Sequence, residues 1–343
     1  MDAGHRQARP TLVSIAQELG VSRQTVSNVL NNPSIVHPRT RALVDAAIKR
    51  SGYRPSAAGK ALRTQRSMAI GLRLYRAVDG INGAVMDRFL HSLAEEAQRR
   101  GYQLTLLTAD DADAEVEKLE TLYRSASIDL AVLTDTGADD PRPSRLQESL
   151  VPFVAFGRPW NRLDTSDHCW VDVDGAAGTA AATTWLRDLG HRRIGFLGWP
   201  EGSGVGDDRR AGWQRTVADL PESAGLSVAV LDDHPSAGAE GATELVGRGA
   251  TAIVCASDSL ALGAVGHFRI VGRLDDAEVP VVGFDDTPVA RATGLSSVHQ
   301  PVEEAAVGLL ELALGLLDGQ TPAQPHRLLK PHLVQRRLQP FAR

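Results

Sequence analysis

Residues 11–32 read TLVSIAQELGVSRQTVSNVLNN, and this stretch decides the fold of the amino-terminal part of the chain. Its first half carries apolar residues at helical spacing, at Leu12, Ile15, Ala16 and Leu19. Gly20 tolerates the left-handed conformation that ends a helix, and Thr11 and Ser22 can cap helix N-termini. The pattern therefore predicts two short helices that meet at a tight turn.

The second predicted helix has a polar outward stripe without a carboxylate. Its members are Arg23, Gln24, Thr25, Ser27, Asn28 and Asn31. Gln and Asn side chains can bond adenine bidentately, Arg can bond guanine, and hydroxyls reach phosphates. The alternative is a helix face that is merely solvated.

Charge favours DNA over that alternative. Residues 1–66 hold eleven basic and three acidic side chains, a formal charge of +8, whereas the remaining residues carry −13 and the 343-residue chain carries −5. Such asymmetry points to a polyanion-binding head on an unrelated body. A third helix from Pro38 to Gly52 completes a three-helix core. Residues 56–66 then place cations around Leu62, and the predicted helix from Ser56 to about Arg63 is too short to be stable alone.

Beyond Arg66 the sequence alternates between buried strands and amphipathic helices. The predicted strands are MAIGLRLY, YQLTLLT, IDLAVL, VPFVAF and CWVDV, then RIGFLG, LSVAVL, TAIVC and VPVVGF. Helices are predicted near 83–100, 113–126, 143–150, 175–189, 207–219, 238–248 and 259–271. This alternation predicts parallel sheets, and its two similar halves predict two Rossmann-like subdomains with a ligand between them.

The whole chain resembles the LacI/GalR family of bacterial transcription regulators. The head matches through TLVSIAQELGVSRQTVSNVLNN, VHPRTRALVDAAIKRSGYRP and SAAGKAL. The body matches through FGRP at 156–159, DLGHRRIGFLG at 188–198, DRRAGW at 208–213, ASDSLALGA at 256–264 and VPVVGFDD at 279–286. The resemblance implies a small all-α helix-turn-helix domain followed by an α/β module similar to a periplasmic sugar-binding protein.

The predicted domain organisation has three parts. They are a helix-turn-helix domain at 10–55, a hinge helix and linker at 56–66, and an effector-binding and dimerisation domain at 67–343. Within the last, we predict an N-subdomain at about 67–162 and 293–325 and a C-subdomain at about 163–292 and 326–340. No terminal heptad segment follows, so a tetramer through a C-terminal coiled coil is not expected.

In this family the second helix reads the major groove, and a leucine of the hinge helix enters the minor groove as a wedge. The resemblance gives the wedge role to Leu62. The predicted DNA contacts are Thr11, Ser22, Arg23, Gln24, Thr25, Ser27, Asn28, Asn31, Tyr53, Ser56, Lys60 and Leu62. Two positions depart from the family pattern. Asn28 replaces a frequent Arg, which favours adenine, and Gly59 replaces Ala, which weakens the hinge helix by roughly 0.5–1 kcal/mol.

The resemblance also implies effector contacts. Arg209 and Asp285 would bond sugar hydroxyls, with Ser257 and Arg158 in the same cleft. Arg forks and carboxylates match the paired hydroxyls of a sugar, and aromatic rings stack on its apolar side. The candidate rings are Trp160, Trp199 and Tyr75.

Several effector candidates have a structural alternative. Trp160 and Trp199 could be core or rim packing. Arg209 could form a surface ion pair with Asp207 or Asp208, and Asp285 and Asp286 could cap the next segment.

The sequence contains no pattern for catalysis, a metal or an organic cofactor. It has no G-x-S-x-G, H-E-x-x-H or Walker lysine motif and no Cys/His cluster, and GSGVG at 202–206 lacks dinucleotide-binding spacing. Cys169 and Cys255 lie in apolar runs, as reduced core cysteines do. No apolar run of about 18 residues and no signal pattern occurs, so we expect a cytoplasmic protein without a membrane partner.

These observations predict a transcriptional repressor that binds a near-palindromic operator as a homodimer. A mono- or oligosaccharide would release it from DNA, with co-repression as the alternative. Other effectors left open are a nucleobase, a sugar phosphate or a partner protein. The rival classes are a transport-type solute-binding protein, which would need a signal peptide and no basic head, and a divergent enzyme.

Overall fold

The structure, a computed structural model, describes residues 10–53, 66–75, 81, 83–160, 167–270 and 279–336. The chain separates into two compact units, with the division between Ser67 and Met68. The first unit is helical and the second is α/β, which is the predicted fold class. Within the described residues, no helix is both long enough and apolar enough to cross a membrane.

The described residues of the first unit form three α-helices around a small apolar core. They are α1 (Leu12–Leu19), α2 (Arg23–Asn31) and α3 (Pro38–Ser51). The side chains of Thr11 and Ser22 cap α1 and α2 by accepting hydrogen bonds from the N–H groups of Ser14 and Thr25. Gly20 ends α1 in the left-handed conformation, at φ 62°. The buried core comprises Ile15, Ala16, Val26, Val29, Val44 and Ala47.

The described part of the second unit contains two six-stranded sheets. The first sheet has the order β11-β5-β4-β3-β1-β2 and is parallel throughout. Its strands are β1 (Ala69–Arg73), β2 (Gln103–Leu107), β3 (Leu130–Leu133), β4 (Phe153–Phe156), β5 (Trp170–Val173) and β11 (His326–Leu329). The second sheet has the order β12-β10-β9-β8-β6-β7, and only β12 runs antiparallel. Its strands are β6 (Ile194–Gly198), β7 (Ser227–Ala229), β8 (Ala252–Cys255), β9 (Val281–Asp285), β10 (Ser296–His299) and β12 (His332–Val334).

Helices connect these strands and cover the sheets. They are α4 (Gly83–Arg99), α5 (Ala112–Arg124), α6 (Arg142–Glu148), α7 (Gly175–Asp188), α8 (Val205–Thr216), α9 (Pro235–Gly247), α10 (Asp258–Ile270), α11 (Pro288–Thr293) and α12 (Val302–Leu317). Helix α12 packs on α4, where Leu309 and Phe89 belong to one buried cluster. Cys169 and Cys255 are both buried and free.

The sheet pairings differ from the predicted subdomain boundaries in three strands. β5 and β11 pair with each other in the first sheet, whereas both were predicted in the C-subdomain. β10 pairs with β9 in the second sheet, whereas it was predicted in the N-subdomain. The physical reason is that a buried strand has the same local pattern in either sheet, so its partner is decided by non-local packing.

Candidate functional site

The outward face of α2 carries the predicted DNA-reading side chains. Ser22, Arg23 and Gln24 are exposed, while Thr25, Ser27 and Asn28 are partly buried. Gln24 Nε2 donates a hydrogen bond to Asn28 Oδ1 at 3.0 Å, and the Ser22 and Thr25 hydroxyls lie 2.9 Å apart. These local bonds order a surface with both donors and acceptors, as base-edge recognition requires.

The remaining predicted DNA contacts have different surroundings. Thr11 is exposed and caps α1, and Tyr53 packs its partly buried ring on the core of the first unit. Asn31 is the last residue of α2. Ser56, Lys60 and Leu62, with the whole predicted hinge helix, lie outside the described residues.

A cavity of about 650 Å³ lies between the carboxyl ends of the two sheets. It is lined by Leu74, Tyr75, Gly83, Val85, Met86, Asp87, Leu90, Asp135, Thr136, Phe156, Gly157, Trp160, Asp172, Val173, Gly175, Val205, Asp208, Arg209, Phe284 and Gln300. Both subdomains contribute, because residues following β1, β3 and β4 face residues of α8 and β9. Ligands of doubly wound folds bind at this kind of location.

Three predicted effector residues line the cavity: Tyr75, Trp160 and Arg209. The other four, which are Arg158, Trp199, Ser257 and Asp285, are not among the lining residues. Trp199 packs on the core of the second subdomain, with the Arg209 guanidinium 5.6 Å from its ring centre. Ser257 bonds Asp233 and accepts a hydrogen bond from the Leu260 N–H at 3.2 Å, so it holds the start of α10.

Arg209 is held by Asp285 and Phe284 at the end of β9. Its Nη2 lies 3.6 Å from Asp285 Oδ1, and its guanidinium lies 3.8 Å from the centre of the Phe284 ring. Gln300 Nε2 donates to Asp285 Oδ1 at 2.6 Å. Burial raises the pKa of Asp285, while the charge of Arg209 opposes that rise. Arg209 is thus fixed by contacts within the second subdomain, with its edge at the cavity.

Asp207 and Asp208, the alternative ion-pair partners of Arg209, pair with other arginines. Asp207 bonds Arg210 at 3.2 Å, and Asp208 bonds Arg158 at 3.2 Å. The cap of α11 is the Thr287 side chain, which accepts from the Ala290 N–H, so Asp285 and Asp286 do not have the alternative capping role.

Arg158 connects the two subdomains across the cleft. Its Nε donates to Asp172 at 2.6 Å in the first sheet, and its Nη2 donates to Asp208 at 3.2 Å in α8. Burial raises the pKa of Asp208, and Arg158 counteracts it. The Arg158 guanidinium also lies 4.5 Å from the centre of the Trp160 ring.

Trp160 contacts both sides of the cleft. Its Nε1 donates to the Thr136 carbonyl at 3.0 Å. The ring packs so closely on Gly204 that a Cβ there would lie 2.5 Å from Trp160 Cγ. Gly204 also has φ 66°, so both space and backbone conformation require glycine.

Sequence reasoning missed several polar cavity residues. Asp87, Asp135, Asp172, Asp208 and Gln300 all line the cavity. Asp135 and Asp172 lie at carboxyl ends of predicted strands, so position alone was a usable signal. No local pattern marks Asp87 on α4 or Gln300 after β10. Among the described residues, no group of three or more His, Cys, Asp or Glu side chains could hold a metal ion.

Two parts of the chain match known protein families. Residues 11–56 match the bacterial regulatory proteins of the lacI family, and residues 183–337 match a periplasmic binding protein-like domain. The HTH-type transcriptional regulator CelR of Thermobifida fusca is 31% identical over 345 residues, which cover 96% of this chain and 98% of that protein.

Solved structures agree with these matches. A complex of the transcriptional regulator CelR with cellobiose has a TM-score of 0.70 and 29% identity, covering 96% of this chain and 100% of that chain. A lac repressor dimer bound to operator and the anti-inducer ONPF has a TM-score of 0.80 at 23% identity, covering 96% and 98%. At 23% identity, the similarity to the lac repressor structure establishes the fold alone.

Proposed function

The chain belongs to the lacI family of bacterial regulatory proteins and is a transcriptional regulator rather than an enzyme, and from this premise we propose that a neutral sugar controls its binding to DNA. In this proposal a homodimer binds a near-palindromic operator in the cytoplasm. A mono- or oligosaccharide enters the cavity between the two sheets and releases the operator.

The cavity lining is the observation that carries the sugar proposal. The rings of Tyr75, Phe156, Trp160 and Phe284 line it beside polar Asp135, Asp172, Arg209 and Gln300. Aromatic faces cover the apolar side of a sugar ring, while carboxylates and a guanidinium bond neighbouring hydroxyls. The volume of about 650 Å³ lies within the ordinary range of small-molecule sites.

Cavity charge supports a neutral sugar over a sugar phosphate. Four aspartates line the cavity, and Arg209 is the cation among the described lining residues. Arg209 already faces Asp285, and Arg158 is paired with Asp172 and Asp208. A phosphate would meet a surplus of negative charge, whereas hydroxyl groups can donate to carboxylates at no such electrostatic penalty.

The polar face of α2 supports the DNA half of the proposal. One such helix reads a single half-site, and two-fold symmetric proteins match palindromic operators. Sugar binding and operator release would be coupled through the arrangement of the two subdomains. A coupling free energy on the order of 1–3 kcal/mol gives roughly a 5–150-fold change in operator affinity.

A thermal-shift screen tests the effector assignment. The panel is glucose, galactose, maltose and cellobiose, each paired with glucose 6-phosphate or galactose 6-phosphate as the charged counterpart. We expect at least one neutral sugar to raise the melting temperature, because a ligand at about 100 times its Kd adds about 2.7 kcal/mol of stability. R209Q should abolish that shift while leaving operator binding intact.

An operator gel-shift titration with the active sugar tests whether the sugar weakens or strengthens operator binding. We expect the sugar to weaken the complex of the native chain and to leave the R209Q complex unchanged. A sugar that only tightens operator binding would reverse the proposal to co-repression. A shift produced only by the phosphorylated sugars would refute the neutral-sugar assignment.

A further inference from the structure

Arg142 lies behind the cavity wall and is not itself a cavity residue. It begins α6, and only 4% of its surface is exposed. Its guanidinium points towards the segment that follows β3. Nη2 donates to the carbonyl oxygens of Thr134 at 3.1 Å and Asp135 at 2.9 Å. Arg142 therefore grips the backbone of residues that line the cavity.

The same guanidinium bonds the Tyr75 hydroxyl. Arg142 Nη1 donates to Tyr75 Oη at 2.8 Å, and Tyr75 Oη donates to the Thr134 carbonyl at 3.3 Å. The Tyr75 hydroxyl thus accepts one hydrogen bond and donates one to groups that do not line the cavity. Because Tyr75 still lines the cavity, it presents its ring to a ligand there and not its hydroxyl.

The segment that Arg142 holds has a backbone conformation that needs support. Asp135 has φ 54°, in the left-handed region that non-glycine residues rarely occupy. The next residue, Thr136, accepts the indole hydrogen bond of Trp160 through its carbonyl. Residues 134–136 therefore set the position of both Tyr75 and Trp160, the two predicted rings that line the cavity.

A buried carboxylate, Glu115, and a partly buried one, Asp140, keep Arg142 in place. Its Nη1 lies 2.9 Å from Glu115 Oε2, and its Nη2 lies 2.7 Å from Asp140 Oδ2. Glu115 is fully buried and also pairs with Arg73 at 3.2 Å. The guanidinium of Arg73 in turn lies 4.3 Å from the centre of the Tyr75 ring. An unpaired charge here would be costly, so these ion pairs hold the Arg142 guanidinium against Glu115 and Asp140.

We propose that Arg142 is a positioning residue of the effector site, which fixes Tyr75 as an aromatic wall and holds residues 134–136 in their cavity-lining conformation. The part concerning ligand affinity rests on the proposed function. The part concerning the arrangement of Tyr75 and residues 134–136 does not rest on the proposed function, because that arrangement exists in the protein without ligand.

Hydrogen–deuterium exchange on the ligand-free full chain tests the wall directly. R142Q should increase exchange at residues 134–137 at least several-fold. R145Q is the matched control, because Arg145 lies on the same helix, is about one-third exposed, and pairs with Asp113. We expect R145Q to exchange like the native chain there. Equal exchange in native, R142Q and R145Q chains would overturn the proposal.

Tyr75 variants give a second and milder test. Y75F removes the hydroxyl that links Arg142 to the ring, so it should raise exchange at residues 134–137 less than R142Q does. Comparison of Y75F with the native chain tests the proposal even if R142Q fails to fold. Unchanged exchange in Y75F, with R142Q unfolded, would count against the proposal.

Affinity for the sugar found active among glucose, galactose, maltose and cellobiose tests the role of the ring. We expect Y75L and R142Q to weaken binding at least tenfold, and Y75F, which keeps the ring, to weaken binding clearly less than Y75L does. A Y75F loss as large as that of Y75L would show that the hydroxyl contacts ligand and would overturn the inference. If no sugar binds the native chain, the proposed function fails and the exchange experiment still decides the role of Arg142.

Discussion

At the scale of single residues, Asp285 and Asp286 show how the site is held at the end of β9. Both have positive φ, 112° and 50°, although neither is glycine. Asp286 is anchored by Arg336 at 2.6 Å and His299 at 3.0 Å, while Asp285 faces Arg209 and Gln300. These contacts offset the backbone strain, because such conformations persist only when the surroundings over-determine them.

The raised pKa of Asp285 predicts a pH-dependent penalty on stability. Burial raises this pKa above its unfolded value, so the folded chain holds the proton more tightly than the unfolded chain. The stability that proton binding at Asp285 contributes is present at low pH. It is lost as pH rises through the pKa of Asp285 in the folded chain. D285N cannot ionise. We therefore expect the free energy of unfolding of D285N to rise relative to that of the native chain as pH increases from 5 through the Asp285 pKa of about 7, and the difference to level off by pH 8.

Urea unfolding of both chains at pH 5, 6, 7 and 8 measures this difference. Only the difference between the two chains is informative, because burial also raises the pKa values of Asp208 and Asp258. A constant difference across the series would contradict a raised pKa at Asp285.

At the scale of elements, Ser22 has two separable roles at the start of α2. It caps the helix, and it was predicted to contact DNA. Glycine caps nearly as well as serine but has no hydroxyl, whereas alanine caps poorly. We expect S22A to lower the free energy of unfolding by about 1 kcal/mol and S22G by only a few tenths.

Operator affinity then separates the roles. If the hydroxyl contacts a phosphate, S22G will lose operator affinity while keeping near-native stability in urea. A native operator Kd for S22G would reduce Ser22 to a capping residue. Thr11, which caps α1 through a reciprocal pair of bonds with Ser14, serves as the comparison for capping at the other helix.

At the scale of the whole molecule, the charge division predicts a steep salt dependence of operator binding. Residues 1–66 carry a formal charge of +8 and the rest of the chain carries −13. Each phosphate neutralised by a protein cation contributes about −0.9 to the slope of log affinity against log salt. K60Q should reduce the magnitude of that slope by about 1 for each head.

Fluorescence anisotropy with labelled operator between 50 and 200 mM salt measures the slope. K330Q, which removes an exposed lysine outside residues 1–66, is the control and should leave the slope unchanged. Binding of a neutral sugar should vary little over the same range. If K330Q changed the slope as much as K60Q does, DNA contacts would lie outside residues 1–66, and the prediction would be wrong.

The sequence by itself determined the classes of structure. Helix caps at Thr11 and Ser22, the turn at Gly20 and the alternation of strands with helices are local patterns, so they predicted the head and the two α/β subdomains. The resemblance to the LacI/GalR family implied Arg209 as an effector contact, and the structure places Arg209 in the cavity lining. Local signals were sufficient wherever the structure depends on neighbours in the chain.

Only the tertiary structure decided which distant segments meet. It placed β5 and β11 in the first sheet and β10 in the second, and it positioned Asp87 and Gln300 at one cavity. It also turned the Tyr75 hydroxyl towards Arg142, 67 residues away in sequence. These choices arise from burial, charge pairing and strand pairing between remote residues, and no local periodicity records them.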